Sequence, residues 1–588
     1  MVQSGSLPGI PSSEHGRAAG ISAWILLCAI LMLALLVTLR DLGHPCLTYF
    51  DESFHAVVAR NLLKHPLTPT LLDHPFLPVD RRNWEETHIW LHKGIVPLWV
   101  IAASYKLLGT DVFALRFPSL LLFTASIWLT FEIGRRTLDV RSGLIAAFLQ
   151  AASPCFGYLV RGKAFSDHVD IALLFWLEAG FLCLVIGMQS GRWRWFILAG
   201  VAQGLAFLTK SFVGFLIAAT TMSLLILQAI GLIRSDAWRL TWRSLGILLL
   251  ATVVTAAPWT LWCMARFPVE FWYELGHVGQ HLHADVEGWA APWYRIYLKY
   301  CPALYGGFYT PVLTAFVLSW IRLLRQRDAA LALPLAWASI VLGVFTLATA
   351  KPPMATMIAM PAMYLLLAGI VSRALAGDPT WVAAWVAIVL ISLVDPGHPT
   401  RSPANAPDLA TAARQASWIF RHVSIGLIAT SLGAWYARRA SVAAPTAGKR
   451  AAGLATLFAA ALAWPMLQED WKGGDGDPKE PTYAEIGEFV QTRLPANAVM
   501  LVDRAYDGEH RIMQFFTDRT CYPASNDWQI VGEGIRSNGG LPFLFSYRIW
   551  NLPVVFNSAH DQRSLYECPP LSITHKLRAK CEAKVDVC

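Results

Sequence analysis

Charge is scarce in this chain. Only 15% of its 588 residues are Asp, Glu, Lys or Arg, too few to solvate the surface of a soluble protein of this length. No internal repeat, low-complexity tract or Cys spacing suited to a zinc site is visible, so a solenoid and a Cys-based zinc module are excluded. A cleavable signal peptide is not expected, because residues 21–39 are longer than a signal h-region and lack a small-residue cleavage site. What the sequence has instead is apolar length. Hydrophobic residues make up 55% of it, mean hydropathy is +0.44, and runs of about 18 to 22 apolar residues recur through the first 466 positions. The 25 Trp suit aromatic belts at a membrane–water interface.

This pattern predicts a polytopic α-helical membrane protein. Spans are expected near 21–39, 114–134, 142–160, 169–188, 195–209, 213–233, 244–263, 308–323, 329–349, 354–372, 379–394, 419–436 and 450–466, about 13 transmembrane helices in all. The segment 94–108 is short and contains Pro97 and Lys106, and it reads either as a span or as an interfacial helix. Arginine decides between the two. If 94–108 stays on the surface, Arg135, Arg136 and Arg141, then Arg192 and Arg194, then Arg234, Arg239 and Arg243 all fall on the cytoplasmic side. Arg322, Arg325 and Arg327, then Arg373, then Arg438, Arg439, Lys449 and Arg450 follow the same rule. If it crosses, every later loop inverts. The net charge of +8 is therefore a topology signal, with little support for nucleic-acid binding.

Under this threading the long loop 40–113, the turns near 161–168, Lys210 and Lys351, the loops 264–307 and 395–418, and the tail from 467 share the external side. The tail is polar. "YAEIGEFVQTRL" has helical spacing, "AVMLVD" reads as a buried strand and "EHRIMQFFTD" is again helical, so residues 467–588 are expected to form a small α/β domain beyond a membrane domain of 1–466. Cys46, Cys301, Cys521, Cys568, Cys581 and Cys588 lie on this oxidising side. One or two bridges are expected among the last three or to Cys521.

The same side collects ionisable groups. Phe54, Val58 and Leu62 predict an amphipathic helix over 53–64, lying on the membrane. Asp51 at its start is either an N-cap or a well-placed general base, with Glu52 beside it. "NWEETHIWLHKG" supplies Glu85, Glu86, His88, His92 and Lys93, which alone would read as a solvated loop. "RGKAFSDHVDIALLFW" places Asp167, His168 and Asp170 in the first turn of a span, after Arg161 and Lys163. The helix dipole favours those acids, yet Asp170 begins to enter the apolar layer, where an ionisable group is costly unless it serves a site. Lys210 and Lys351 fit snorkelling cations. Two carboxylates with several cations beside a membrane suit one chemistry, in which a carboxylate activates an acceptor while cations hold a phosphate.

On five segments taken in order, the sequence resembles the GT-C membrane glycosyltransferases, specifically the branch with the lipid A aminoarabinose transferase and the dolichyl-phosphate-mannose protein mannosyltransferases. They are "YFDES"; "HKGIVPLWVIAASYKLLG" with "FALRFPSLL"; "GLAFLTKSFVG"; "APWTLWCMARFPVEFWYELGHVGQH" with "APWYRIYL"; and "AKPPMATMIAMPAMYLLLA". The resemblance covers about residues 20 to 370. It implies transfer of a sugar from a polyprenyl-phosphate carrier to an envelope acceptor (lipid, glycan or protein), with inversion. It further implies a bacterial inner membrane, with the active site and the α/β tail in the periplasm. Asp51 is then the catalytic base with Glu52 supporting it, Lys93 contacts the carrier phosphate, Asp170 fits the second acidic position better than Asp167, and Lys210 lines the cavity. Some relatives hold a divalent metal where this chain has His92 and His277, the one cofactor the resemblance brings in. The chain departs from the family where an Arg-Tyr pair is replaced by Phe54 and His55, leaving Arg60, Arg81, Arg82 or Lys163 to supply the missing carrier-phosphate cation, with Lys351 near the later segment. Ala355 and Thr356 stand about where the family has a Tyr. These losses also allow a non-catalytic carrier-binding homologue. A transporter or flippase of a lipid-linked substrate would instead require mid-span charges and inverted repeats.

Overall fold

The computed structural model describes residues 14–40, 42–44, 47, 51–162, 168–233, 238–305, 308–394, 480–503, 508–524, 527–560 and 562–570, with isolated positions 432, 435 and 439. Its membrane part begins with α1 (Glu14–Leu39), α2 (Asp51–Asn61), α3 (Ile95–Leu108), α4 (Val112–Thr137), α5 (Val140–Ala151), α6 (Pro154–Val160), α7 (His168–Ser190) and α8 (Trp193–Lys210). There follow α9 (Leu216–Ala229), α10 (Trp242–Arg266), α11 (Pro268–Gln280), α12 (Cys301–Tyr305), α13 (Tyr309–Gln326), α14 (Ala332–Leu347), α15 (Met360–Leu375) and α16 (Pro379–Val394). Polar side chains start the long helices. Asp111 accepts from Ala114 N at 2.7 Å to cap α4, and Asp139 accepts from Ser142 N at 2.9 Å to cap α5.

Among the described residues, seven helical segments are long and apolar enough to cross a membrane: Ile21–Leu39, Val112–Thr137, His168–Ser190, Trp193–Ala229, Trp242–Arg266, Ala329–Leu347 and Met354–Leu375. The broken pair Ile296–Tyr305 and Tyr309–Gln326 makes an eighth if it is one span. The expected span 142–160 is two helices, α5 and α6, because Pro154 can start a helix but cannot continue one. Between α8 and α9 a 3-10 turn, Ser211–Phe215, interrupts the run, and Ser211 at φ 50° breaks the helix beside Lys210. The helix α3 is 14 residues long, about 21 Å and short of the hydrocarbon thickness. The expected spans 419–436 and 450–466 lie outside the described residues. One carboxyl does sit deep in a span: Glu178 of α7 is fully buried and accepts from Ser126, Thr130 and Gln150 at 2.6, 3.0 and 3.3 Å. Ionisable groups are therefore not confined to the membrane surface, as the apolar pattern alone suggested.

The tail forms a mixed sheet. After α17 (Glu480–Arg493) come β1 (Ala498–Asp503), α18 (Glu509–Thr517), β2 (Cys521–Ala524), α19 (Trp528–Ser537), β3 (Leu541–Ser546), β4 (Val554–Asn557) and β5 (Ser564–Glu567). The strand order is β2-β1-β3-β5-β4, with β2, β1 and β3 parallel and β5 antiparallel to both β3 and β4. Every residue of β1 is buried, as a central parallel strand covered on both faces must be. Cys521 and Cys568 carry free thiols, each pushed up to about 12 by burial. A bridge to Cys521 is therefore absent; its Sγ lies 3.8 Å from the Thr517 hydroxyl. Cys46, Cys581 and Cys588 lie outside the described residues.

The sheet domain and the first loop share one apolar core. Phe54, Val58, Trp90 and Ile101 pack in the same cluster as Ile486, Met500, Met513 and Phe543. This changes the reading of α2. Its apolar face meets protein, since Phe54, Val58 and Leu62 are each at most 2% exposed. The flank beside it is covered by α18: Ser53 Oγ donates to Gly508 O at 3.4 Å, and Arg60 donates to Gln514 O and Phe515 O at 3.1 and 2.9 Å. Arg511, fully buried, reaches Glu85 O at 2.6 Å and lies over the Phe54 ring. An amphipathic pattern shows which face is buried, but not whether protein or lipid buries it.

Candidate active site

The site starts at the first turn of α2, where the helix dipole favours negative charge. Asp51 Oδ1 lies 3.1 Å from Lys93 Nζ, with the two side chains 19% and 15% exposed. Glu52 is fully buried and engages different partners. Arg116 Nε and its terminal nitrogen donate to the two Glu52 oxygens at 2.7 and 3.0 Å, and His168 Nε2 lies 2.8 Å from Oε1. Ser119 Oγ stands 3.0 Å from the other His168 nitrogen. Burial alone would raise the Glu52 carboxyl, but Arg116 and His168 outweigh it and hold the group far below the ordinary carboxylate range. Glu52 thus stays ionised as an anchor while Asp51, one residue away, keeps access to the surface.

Asp170, in the first turn of α7, pairs with Lys210 at the end of α8 at 2.5 Å. The Lys93 loop is docked on that same helix end: Gly94 N donates to Thr209 O at 3.2 Å. A Cβ on Gly94 would come within 2.1 Å of Leu208 O, so only glycine allows this approach. The contacts close into a ring. Asp51 leads to Lys93, then through Gly94 and Thr209 to Lys210, to Asp170, through the same turn to His168, and back to Glu52.

Gly162 closes the floor of this ring. It adopts φ +66°, and a Cβ there would lie 2.4 Å from an Arg116 guanidinium nitrogen and 2.6 Å from Glu52 Oε1. Gly162→Ala is expected to cost about 1–3 kcal/mol through backbone strain and displacement of the Arg116–Glu52 pair. The drop in apparent melting temperature of the purified protein measures it; an unchanged temperature would contradict the close packing.

A second cluster adjoins Lys93. One donor atom each from His92, His277 and Glu287 lies within 4.8 Å of the others. His92 Nδ1 faces Glu274 Oε2 at 3.1 Å, which leaves Nε2 for a ligand, the usual way a second carboxylate orients a metal-binding imidazole. Two imidazoles and a carboxylate suit zinc or a similar divalent ion. Burial would raise the Glu287 carboxyl, but His277, His92 and Lys93 hold it below its ordinary range. Glu287 adopts φ 55°, a strained position for a non-glycine residue. Its loop is clasped to residues 349–351, with Ala350 N donating to His281 O and Lys351 N to Trp289 O at 3.0 and 2.9 Å.

The remaining expected residues are placed differently. Arg60 is committed to the carboxyl end of α18, including Asp518 at 3.2 Å, and is withdrawn from the carrier-phosphate role. Arg81 makes a two-point contact with Glu270 at 2.6 and 2.8 Å. Lys351 is buried and its ammonium donates to Ala348 O. Asp167 and Lys163 lie outside the described residues. Sequence reading assigned no role to Arg116, Glu274 or Glu287. Arg116 had a signal, an ionisable residue within the apolar helix that follows the loop; the two glutamates had none, because their partners are more than 180 residues away or across a loop.

A helical bundle with a charged ring at one end, roofed by an α/β domain, defines a class of membrane-protein fold. The family described as dolichyl-phosphate-mannose-protein mannosyltransferase matches residues 92–262. An undecaprenyl phosphate-α-4-amino-4-deoxy-L-arabinose arabinosyl transferase of Pseudomonas aeruginosa is 26% identical over 298 residues, 46% of this chain and 49% of that relative. One of Edwardsiella ictaluri is 24% identical over 381 residues, 60% of each. The chain thus spans about half the length of the first of these relatives. Among solved structures, ArnT from Cupriavidus metallidurans bound to undecaprenyl phosphate matches with a TM-score of 0.60 at 16% identity, covering 93% of this chain and 99% of that one. The Archaeoglobus fulgidus oligosaccharyltransferase matches with 0.51 at 13%, covering 88% and 69%. The chain shares the fold of these two solved structures.

Proposed function

We propose that this protein is an inverting glycosyltransferase that moves a sugar, by analogy with its relatives a pentose, from a polyprenyl-phosphate carrier to an envelope acceptor. The observation that carries this reading is the closed ring of Asp51, Lys93, Lys210, Asp170 and the Glu52 anchor at the end of an apolar bundle. In the transfer, Asp51 takes the proton of the acceptor oxygen as that oxygen bonds to the anomeric carbon, and the bond from that carbon to the carrier phosphate breaks. The leaving phosphate keeps the electron pair, and its charge is met by Lys93. Lys93 is shared: it faces Asp51 at 3.1 Å, and a phosphate that draws it away leaves Asp51 open to the acceptor hydroxyl. Lys210 and Asp170 hold the α8 end on which Lys93 rests.

A divalent ion held by His92, His277 and Glu287 would supply positive charge beside Lys93. His277→Ala is expected to lose most of the zinc bound by the purified wild-type protein, as read by elemental analysis; equal content in both would remove the metal from this reading. About 13 spans in a bacterial inner membrane, with the site and the sheet domain on the periplasmic side, complete the proposal, supported by the distribution of Arg between loops. The test is transfer itself. Purified protein in lipid, given radiolabelled polyprenyl-phosphate sugar and an envelope extract, should label a new product. Binding without transfer across a broad donor panel would favour a carrier-binding homologue instead.

A further inference from the structure

The transfer chemistry leaves the sheet domain without a task, yet that domain grips the loop that carries His92 and Lys93. Arg511 of α18 is 1% exposed. Its hydrogen bonds among the described residues all end on uncharged oxygens: Gln514 Oε1 at 2.7 Å, Cys521 O at 3.4 Å and Glu85 O at 2.6 Å. Burying a guanidinium against neutral acceptors is expensive, which calls for a reason. Gln514, one helical turn along, accepts from Arg511 and donates to Leu71 O at 2.7 Å, so one face of α18 holds the first loop at both Glu85 and Leu71. Between those points the loop is cross-linked: Leu71 N donates to His88 O and Trp90 N to Pro69 O at 2.9 and 2.8 Å, and Thr70 pairs with Ile89. An aromatic stack runs alongside. Arg511 lies 5.6 Å over Phe54, Phe54 is 5.1 Å from Trp84, and Trp84 stacks on His92 at 4.2 Å with the rings 14° apart. Both routes end at His92 and Lys93.

We propose that Arg511 is a positioning residue: with Gln514 it fixes the His92–Lys93 segment, so that the sheet domain sets how well Lys93 meets the carrier phosphate. A guanidinium suits this role because its planar fork presents donors in two directions at once, toward Gln514 and toward Glu85 O. The consequence for the carrier phosphate rests on the transferase reading; the clamp itself does not.

The test uses the full chain in lipid nanodiscs, with Arg511→Met, Arg511→Lys, Lys93→Ala and Tyr522→Phe. Methionine is similar in length and leaves no buried charge at that position, and lysine keeps the charge with a single donor group. Tyr522→Phe is the control, because the Tyr522 hydroxyl also ties the sheet domain to the first loop, accepting from Phe76 N and Leu77 N at 2.8 and 3.2 Å, away from Lys93. Hydrogen–deuterium exchange of residues 84–94 should rise by at least about tenfold in Arg511→Met, the loss of one charge-assisted contact. It should rise less in Arg511→Lys and stay unchanged in Tyr522→Phe. Affinity for undecaprenyl phosphate should fall about tenfold in Lys93→Ala, and about threefold to tenfold in Arg511→Met. With Lys93 already replaced by Ala, adding Arg511→Met should change affinity by less than about twofold, since Arg511 acts through Lys93. A merely structural role would lower the fraction of protein that binds and leave the affinity of the rest unchanged. The proposal is overturned by unchanged exchange in Arg511→Met, by an equal effect of Tyr522→Phe, or by Arg511 and Lys93 losses that add. If Lys93→Ala bound the carrier as wild type does, the transferase reading of Lys93 would fail, and the exchange of 84–94 would still decide the clamp.

Discussion

Asp51→Asn is expected to lower kcat for glycan transfer by about 10²–10⁴-fold, the usual worth of a positioned general base, without weakening donor binding. The amide keeps the shape of the carboxylate but cannot take a proton. It also no longer forms an ion pair with Lys93, so the ammonium becomes freer to meet the carrier phosphate. The measurement is a single-turnover rate together with a donor binding isotherm. A variant that transfers at the wild-type rate would remove Asp51 from the chemistry, and one that loses donor affinity in parallel would show that the Asp51–Lys93 pair holds the binding loop rather than the reacting atoms.

Arg116→Leu should have the largest effect on stability. Glu52 and Arg116 are 0% and 2% exposed at the side chain, and removing the guanidinium strips the buried carboxylate of its two-point partner and leaves it facing His168 at 2.8 Å. Breaking a buried pair from one side costs about 3–5 kcal/mol, enough to lower the apparent melting temperature sharply and to reduce the recovery of monodisperse protein. The double replacement of Glu52 and Arg116 by Leu should restore part of that loss, because it leaves no buried charge without a partner. The pH dependence has a defined sign. Glu52 is held below its ordinary value of 4.5 in the folded protein, so its contribution is intact above about pH 4.5 and is lost as the pH falls further. Glu52→Gln should flatten that acid limb. If Arg116→Leu were as stable as wild type, the pair would not anchor α2.

Much of this was legible in the sequence. Apolar run length and the Arg distribution marked a helical membrane protein, and the change to polar, alternating segments marked the α/β tail, whose strand Ala498–Asp503 and helices Glu480–Arg493 and Glu509–Thr517 lie where the patterns placed them. Asp51, Lys93, Asp170 and Lys210 stood out as charges in or beside apolar segments, where their desolvation needs a reason. Pairwise geometry was not legible. Glu52 read as a support for Asp51, yet one residue along a helix turns a side chain by about 100°, which sends Glu52 to Arg116 and Asp51 to Lys93. Arg60 looked like a phosphate ligand because it is basic and close in sequence; its distance from Asp51 along α2 and its contacts with α18 appear only once the tail is folded against the loop.

The sequence by itself determined that this chain enters a membrane as helices and that a separate polar domain follows, because hydrophobicity and charge act locally along the chain. Only the tertiary structure decided which carboxylate is an anchor and which remains available, that Glu287 joins His92 and His277, and that the sheet domain rather than lipid covers α2. Those outcomes depend on distances between segments hundreds of residues apart, which packing sets and local patterning does not encode.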